Sequence, residues 1–286
     1  MYIMKRICIF CFIANFIFCI SITAQETFQS PKLTKVWELN SGLDVPESAF
    51  FNSNDNTIYV SNIVGKFDVK DSIGYISKIN LKGEMIQKEW VKGLNGPKGM
   101  HFTKSKLFIT DEDRVLEIGV PSGKILKEYK NPLSKDLNDI TIAANGKVYV
   151  TDSGSDCLFV VGKDALEVFI QSPEIKGMNG IFSDGNEIYI GAGGKLLSID
   201  ANTKSIKVLA TDAGYMDGLL KINKNTFITS NLSNTIQLIV LGKTPEKLLV
   251  SKIQAADLGY IPSLKLLLVP TFSENQLVAY KLELDK

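Results

Sequence analysis

Six times along the chain a polar residue opens a short apolar strand, a turn rich in Asn, Gly or Lys reverses it, and a second β-rich strand returns. The copies are PESAFFNSNDNTIYVSN, PKGMHFTKSKLFITD, LNDITIAANGKVYVTD, MNGIFSDGNEIYIGAG, MDGLLKINKNTFITSN and ADLGYIPSLKLLLVPT. Their leading polar positions are Glu47, Lys98, Asn138, Asn179, Asp217 and Asp257, at intervals of 51, 40, 41, 38 and 40 residues. Alternating Ile, Val, Tyr and Phe flank Asn145-Gly146 and Asp184-Gly185, the composition of tight hairpin turns. Two further strand-like runs follow each pair, as in CLFVVGK then ALEVFIQS. Four strands in a period of roughly 40 residues predict a propeller blade. Beyond the first 25 residues nothing sustains a 3.6-residue apolar period over three turns. The expected fold is all-β: a six-bladed β-propeller with four-stranded blades. Only three strands fit after Asp257, so KVWELN (Lys35 to Asn40) is expected to supply the fourth and close the ring, hiding the sheet edges. VGKFDVKDSIG (Val64 to Gly74) reads as a loop that fills the long first interval.

The start of the chain follows another pattern. Lys5 and Arg6 precede the apolar stretch Ile7 to Ile20, and Ser21, Thr23 and Ala24 follow. A basic, then apolar, then small-residue order predicts a secretory leader over residues 1–24, with the propeller domain over 25–286. The mature protein is then periplasmic or secreted, with no membrane span. Cys8, Cys11 and Cys19 would leave with the leader. Cys157 alone would remain, within CLFVV, where a packing role fits better than a nucleophile.

Composition narrows the function classes. The chain of 286 residues is 45% hydrophobic, enough for a packed core, and its formal charge of +1 offers no basic field for nucleic acid. Arg6 and Arg114 are its only arginines, so bidentate clamps on phosphate or carboxylate are scarce.

In a propeller the innermost strand of every blade starts at the central channel, so the six leading residues converge on one axial site. Glu47, Asn138, Asn179 and Asp217 offer oxygen ligands without imidazole or thiolate, a set suited to a hard cation. Two carboxylates balance a divalent charge, and the amide carbonyls add ligands without repulsion. Two plainer readings stand beside this one. Asn-Gly and Asp-Gly are also ordinary turn sequences, and Lys98 could neutralise Asp217 or Asp257 and replace a metal.

These residues carry a resemblance. The pattern PESAFF, LNDI, MNGI, MDGL, spread over roughly Leu43 to Leu284, resembles the senescence-marker-protein/gluconolactonase (regucalcin-like) family of six-bladed propellers. The resemblance implies one divalent cation held by Glu47, Asn138, Asn179 and Asp217: Ca²⁺ first, with Mg²⁺, Mn²⁺ and Zn²⁺ as alternatives. It also implies Asp217 as the catalytic general base and a small-molecule lactone or ester as substrate. The chain departs from the family just ahead of Asn138, where gluconolactonases carry an arginine and KDLND has none. A sugar-lactone pocket therefore does not carry over. Lys98, His101 and Asp257 remain as candidate substrate or channel-lining residues, with His101, the sole histidine, reading as packing or pocket lining.

Other motifs are weak. No GxSxG elbow occurs, GAGGK (Gly191 to Lys195) lacks P-loop spacing, and TDSGSD (Thr151 to Asp156) lacks the glutamate of an EF-hand. Two function classes follow: a metal-dependent hydrolase of a lactone or ester, or a non-catalytic propeller that binds a ligand or protein partner. A propeller fold alone does not choose between them.

Overall fold

The computed structural model describes residues 27–120 and 122–284. The expected leader, 1–24, lies outside the described residues. Six antiparallel sheets form the propeller. From axis to rim, the first blade runs Pro46–Asn52, Thr57–Asn62, Gly74–Ile79, Met85–Leu94. The inner strands of the next five are Pro97–Phe102, Leu137–Ile142, Met178–Asp184, Leu219–Asn223 and Gly259–Ile261. Helical structure among the described residues is limited to two short 3-10 turns, Pro173–Ile175 and Pro262–Leu264. No described helix is long and apolar enough to cross a membrane.

Ring closure follows the expected route. Leu33–Leu39 pairs antiparallel with Gln276–Leu282 and is the outer strand of the sixth blade. Trp37 on this strand reaches the first blade, donating its indole N–H to the Leu81 carbonyl at 3.1 Å. Gly83 leaves room for that ring, since a Cβ there would stand 2.5 Å from it. One pairing was not expected: Phe28–Gln29 adds a fifth strand to the rim of the fifth blade.

The core lies between blades rather than under one sheet. Each of the six clusters of buried apolar residues joins two neighbouring blades, as Ile58 and Val60 of the first blade join Leu266 and Leu268 of the sixth. A middle strand is therefore covered on both faces. Thr57–Asn62 is buried at every position, although alternation alone suggests one solvated face. Cys157 is a fully buried member of the cluster between the second and third blades. Val64 to Ile73 is a loop at the channel end where the inner strands begin.

Candidate axial site

A repeated irregularity aims the leading residues at the axis. In the first blade Pro46 faces Asn62 and Ala49 faces Val60, so Glu47 and Ser48 together oppose Ser61. The same two-against-one bulge places Lys98-Gly99 opposite Thr110, Asn138-Asp139 opposite Thr151, and Asn179-Gly180 opposite Gly191. A bulge bends the strand and re-aims a side chain. Hydroxyls satisfy the displaced amides: Ser61 Oγ accepts from Ser48 N at 2.9 Å, Thr151 Oγ1 from Asp139 N at 2.9 Å, and Ser230 Oγ from Gly218 N at 3.0 Å.

In the first three blades the residue after the hydroxyl secures the linker entering the blade: Asn62 Oδ1 accepts from Asp44 N at 3.1 Å. Asp111 Oδ1 accepts from the amides of Asn95 and Gly96 at 2.7 and 2.9 Å, and Asp152 accepts from those of Lys135 and Asp136 at 2.8 and 3.2 Å. The sequence shows this brace as the recurring endings VSN, ITD and VTD; in TSN, Asn231 Oδ1 instead accepts from Thr235 N at 3.2 Å. TDSGSD thus begins on a buried strand end, at Thr151 and Asp152.

The second bulge position is crowded by the next blade. A Cβ on Gly99 would stand 2.7 Å from Asp139 Cα, and one on Gly218 would stand 2.5 Å from Leu258 N. The Asn-Gly of MNGI and the Asp-Gly of MDGL are therefore bulges at a blade contact, not hairpin turns. The turn pairs are elsewhere, at Gly146 (φ +79°) and Gly185 (φ +62°).

Five of the six leading residues occupy the expected position, and the sixth is a correction. Leu220 faces Ile228 in the fifth blade as Gly259 faces Leu268 in the sixth. Asp217 N donates to Ser230 O as Ala256 N donates to Pro270 O, at 2.9 and 3.0 Å. Ala256 is thus the counterpart of Asp217, and Asp257 shares the second position with Ser48 and Asp139. Leu258 separates Asp257 from Gly259, so the Asp-Gly spacing that fits the fifth blade misleads by one residue in the sixth. Sequence reasoning also missed Asp139: simple alternation turns it from the axis, whereas the bulge brings it into the acidic group.

The axial side chains are buried. Glu47, Lys98 and Asp217 are each 4% exposed, Asn138 is 7% and Asn179 is 1%. Asn179 Nδ2 donates to Asp217 Oδ1 at 2.9 Å and to the Tyr215 hydroxyl. Asn138 Nδ2 contacts Ser153 Oγ at 3.3 Å. These amide orientations leave Asn138 Oδ1 and Asn179 Oδ1 without a partner, as are Glu47 Oε2, Asp217 Oδ2 and Asp139 Oδ1. A buried oxygen without a donor costs about 1–3 kcal/mol. Five such oxygens lie in one channel. Each of the four predicted ligands, Glu47, Asn138, Asn179 and Asp217, presents one such oxygen, and carboxylate and amide oxygens are the donor types a hard cation takes. Among the described residues no three His, Cys, Asp or Glu side chains form a metal-sized group; the predicted set contains only two carboxylates.

The charges are uneven. Burial holds the Glu47 carboxyl well above the usual range, and Asp217 and Asp257 add repulsion. Burial does the same to Asp139, with repulsion from Asp257, Glu47 and Asp217. Asp217 is pushed up to about 7 by burial, opposed by Lys98 and by the hydrogen bonds of Asn179 and Tyr215. Asp257 also reaches about 7, chiefly through burial, although Ser48 Oγ donates to it at 2.6 Å. Burial works against the Lys98 ammonium, but Asp136, Glu47 and Glu112 outweigh it and raise its pKa. Lys98 Nζ is bonded to Asp136 on the linker to the third blade rather than to Asp217 or Asp257.

Further along the channel the walls turn apolar. A cavity of about 240 Å³ is lined by Phe50, Met100, His101, Phe182, Leu220 and Tyr260 among others, with Asp257 at its edge. His101 belongs to this chamber rather than to the acidic group. It packs on Phe50 with centroids 4.9 Å apart, and burial lowers its pKa to about 4.

Blade architecture and channel together define the chain as a six-bladed β-propeller. Several solved structures are similar in fold. A streptogramin B lyase aligns over 88% of this chain and 97% of its own, at 13% identity and a TM-score of 0.64. A catalytically inactive His-to-Ala variant of virginiamycin B lyase from Staphylococcus aureus, with quinupristin, aligns over 88% and 99%, at 14% identity and 0.59. A nidogen/laminin complex aligns over 73% and 86%, at 15% identity and 0.61. No protein-family model and no curated protein matches the sequence.

Proposed function

We propose that this chain is an exported, divalent-cation-dependent hydrolase of the gluconolactonase-like type, acting on a lactone or related ester at the acidic end of its channel. The observation that carries the reading is the set of four unpartnered oxygens: Glu47 Oε2, Asn138 Oδ1, Asn179 Oδ1 and Asp217 Oδ2. Hard-cation chemistry suits all four, and Ca²⁺ suits a carboxylate-and-carbonyl set best. When bound, the cation would supply Lewis acidity to a substrate carbonyl.

The chain's own groups have distinct roles. Asn179 fixes Asp217 by donating to Oδ1; Oδ2 would hold the cation, and the second lone pair of Oδ1 would serve as the base. Asp217 takes a proton from water as the water oxygen bonds to the acyl carbon. The acyl C–O bond then breaks, and the proton passes to the leaving alkoxide. Burial of the group limits competing water.

The lyase likeness argues only for the fold. The variant named above is inactive for want of a histidine, whereas the sole histidine here lies in the apolar chamber. A second reading, a non-catalytic binding propeller, is favoured by Lys98, a fixed cation already within the acidic group. The deciding experiment is hydrolysis of a lactone and ester panel by wild type and Asp217→Asn, with and without chelator. Chelator-sensitive turnover that falls by about 10²-fold or more in the variant supports the hydrolase. No turnover across the panel supports the binding propeller.

A further inference from the structure

Beyond the cation ligands, the same end of the channel carries features with no assigned role. Glu112, in the turn after the second strand of the second blade, is 7% exposed, and its Oε1 has no partner. Its backbone adopts φ +64° as the first residue of the two-residue hairpin turn between Asp111 and Arg114. Gly96 leaves space for this carboxylate: a Cβ there would stand 2.9 Å from Glu112 Oε1 and 3.0 Å from the Phe67 carbonyl. Two aromatic rings stand open nearby. Phe67 is 53% exposed with its ring 6.0 Å from Lys98 Nζ, and Tyr215 is 47% exposed with its hydroxyl bonded to Asn179.

Charge points the same way. Glu47, Glu112, Asp136, Asp139, Asp217 and Asp257 act on one another or on Lys98. Lys98 is bonded to Asp136, and Lys70, the next cation outward, pairs with Asp113 at 2.6 Å. A divalent cation would still leave carboxyl groups in excess. A carboxylate-bearing substrate meets repulsion there, and the nearby Arg114 is held by Asp111 and Glu128. An ammonium meets carboxylates, with the exposed rings of Phe67 and Tyr215 nearby, the kinds of group that recognise organic cations.

We infer that the acidic end of the channel recognises an organic cation, so that the substrate class is an ester or lactone carrying an ammonium group beside the acyl bond. The reacting bond in this statement rests on the hydrolase reading; the recognition of the ammonium does not.

The test separates the two. Calorimetry at low salt compares choline with its neutral carbon isostere, 3,3-dimethylbutan-1-ol, on Ca²⁺-loaded full-length protein. Choline should bind at least about tenfold more tightly, with a preference that shrinks as salt rises. Phe67→Leu, at an exposed position, and Glu112→Gln, which keeps the side chain's shape, should each reduce that preference by roughly threefold or more. Equal binding of the two probes, no choline binding, or a preference untouched by both variants overturns the inference. In the kinetic arm, acetylcholine should be hydrolysed faster than 3,3-dimethylbutyl acetate, and acetoxyacetate slowest. Faster turnover of acetoxyacetate overturns the inference. Choline binding without hydrolysis of any ester supports it and refutes the hydrolase reading instead.

Discussion

Gly218→Ala measures how closely the blades that carry the axial residues approach one another. The added methyl would stand 2.5 Å from Leu258 N, 2.7 Å from Ser230 Oγ and 3.1 Å from Asp257 Cα. Two of these contacts are the backbone of the next blade, which cannot retreat without opening the ring. Ser230 Oγ cannot simply move either, because it accepts from Gly218 N and donates to Ala256 O at 2.6 Å. Overpacking costs about 1–3 kcal/mol, and a buried hydrogen bond lost with it about 1 more, so roughly 3 kcal/mol is expected. Gly146→Ala is the control: nothing lies within 4 Å of its Cβ, and φ +79° supplies backbone strain only, about 1 kcal/mol. At roughly 2–4 °C per kcal/mol for a domain of this size, the melting points should fall by about 6–12 °C and 2–4 °C respectively. Urea unfolding of both variants checks the energies. Equal losses, or a Gly218 variant as stable as wild type, would refute blade contact as the reason for glycine there.

Three further outcomes follow. In chelator, stability should fall as pH rises through about 7, because Asp217 and Asp257, pushed to about 7 from 3.8, hold protons that the unfolded chain releases. The full contribution is present below about 4, with about 4 kcal/mol as a ceiling for one such carboxyl; a melting point that does not change from pH 4 to 8 contradicts it. Divalent cation should reverse that trend and stabilise more at pH 8 than at pH 5, since its ligands must be deprotonated. Lys98→Met should lower stability in chelator by roughly 1–3 kcal/mol, discounted because Asp136 is 38% exposed. The same variant should bind divalent cation more tightly, and unchanged or weaker binding would mean that Lys98 assists the site.

The fold was legible because each blade repeats a local rule. Asn145-Gly146 and Asp184-Gly185 mark hairpins through backbone chemistry alone, and KVWELN stood out as a strand without a partner in its own neighbourhood. Glu47, Lys98, Asn138, Asn179 and Asp217 were legible because each opens a repeat. What escaped depends on geometry that period-two reasoning omits. The bulge makes Asp139 share the axis with Asn138, and Leu258 shifts Asp257 by one position against its counterparts. Glu112 and Asp136 reach the site from a turn and a linker, where no periodicity points. Phe28–Gln29 is too short to carry a strand pattern, and its pairing follows from the exposed rim of the fifth blade.

The proposed hydrolase depends most on four oxygens sharing one cation. Calorimetric titration of Ca²⁺ into chelator-treated protein tests this directly, beside melting curves in Ca²⁺, Mg²⁺ and Mn²⁺. The prediction is one ion per chain and about 2.7 kcal/mol of added stability at about 100 times the dissociation constant. Glu47→Gln and Asn179→Ala should each weaken binding by about tenfold or more. Unmoved melting curves in all three cations, or Ca²⁺ binding that both variants leave intact, would contradict the site.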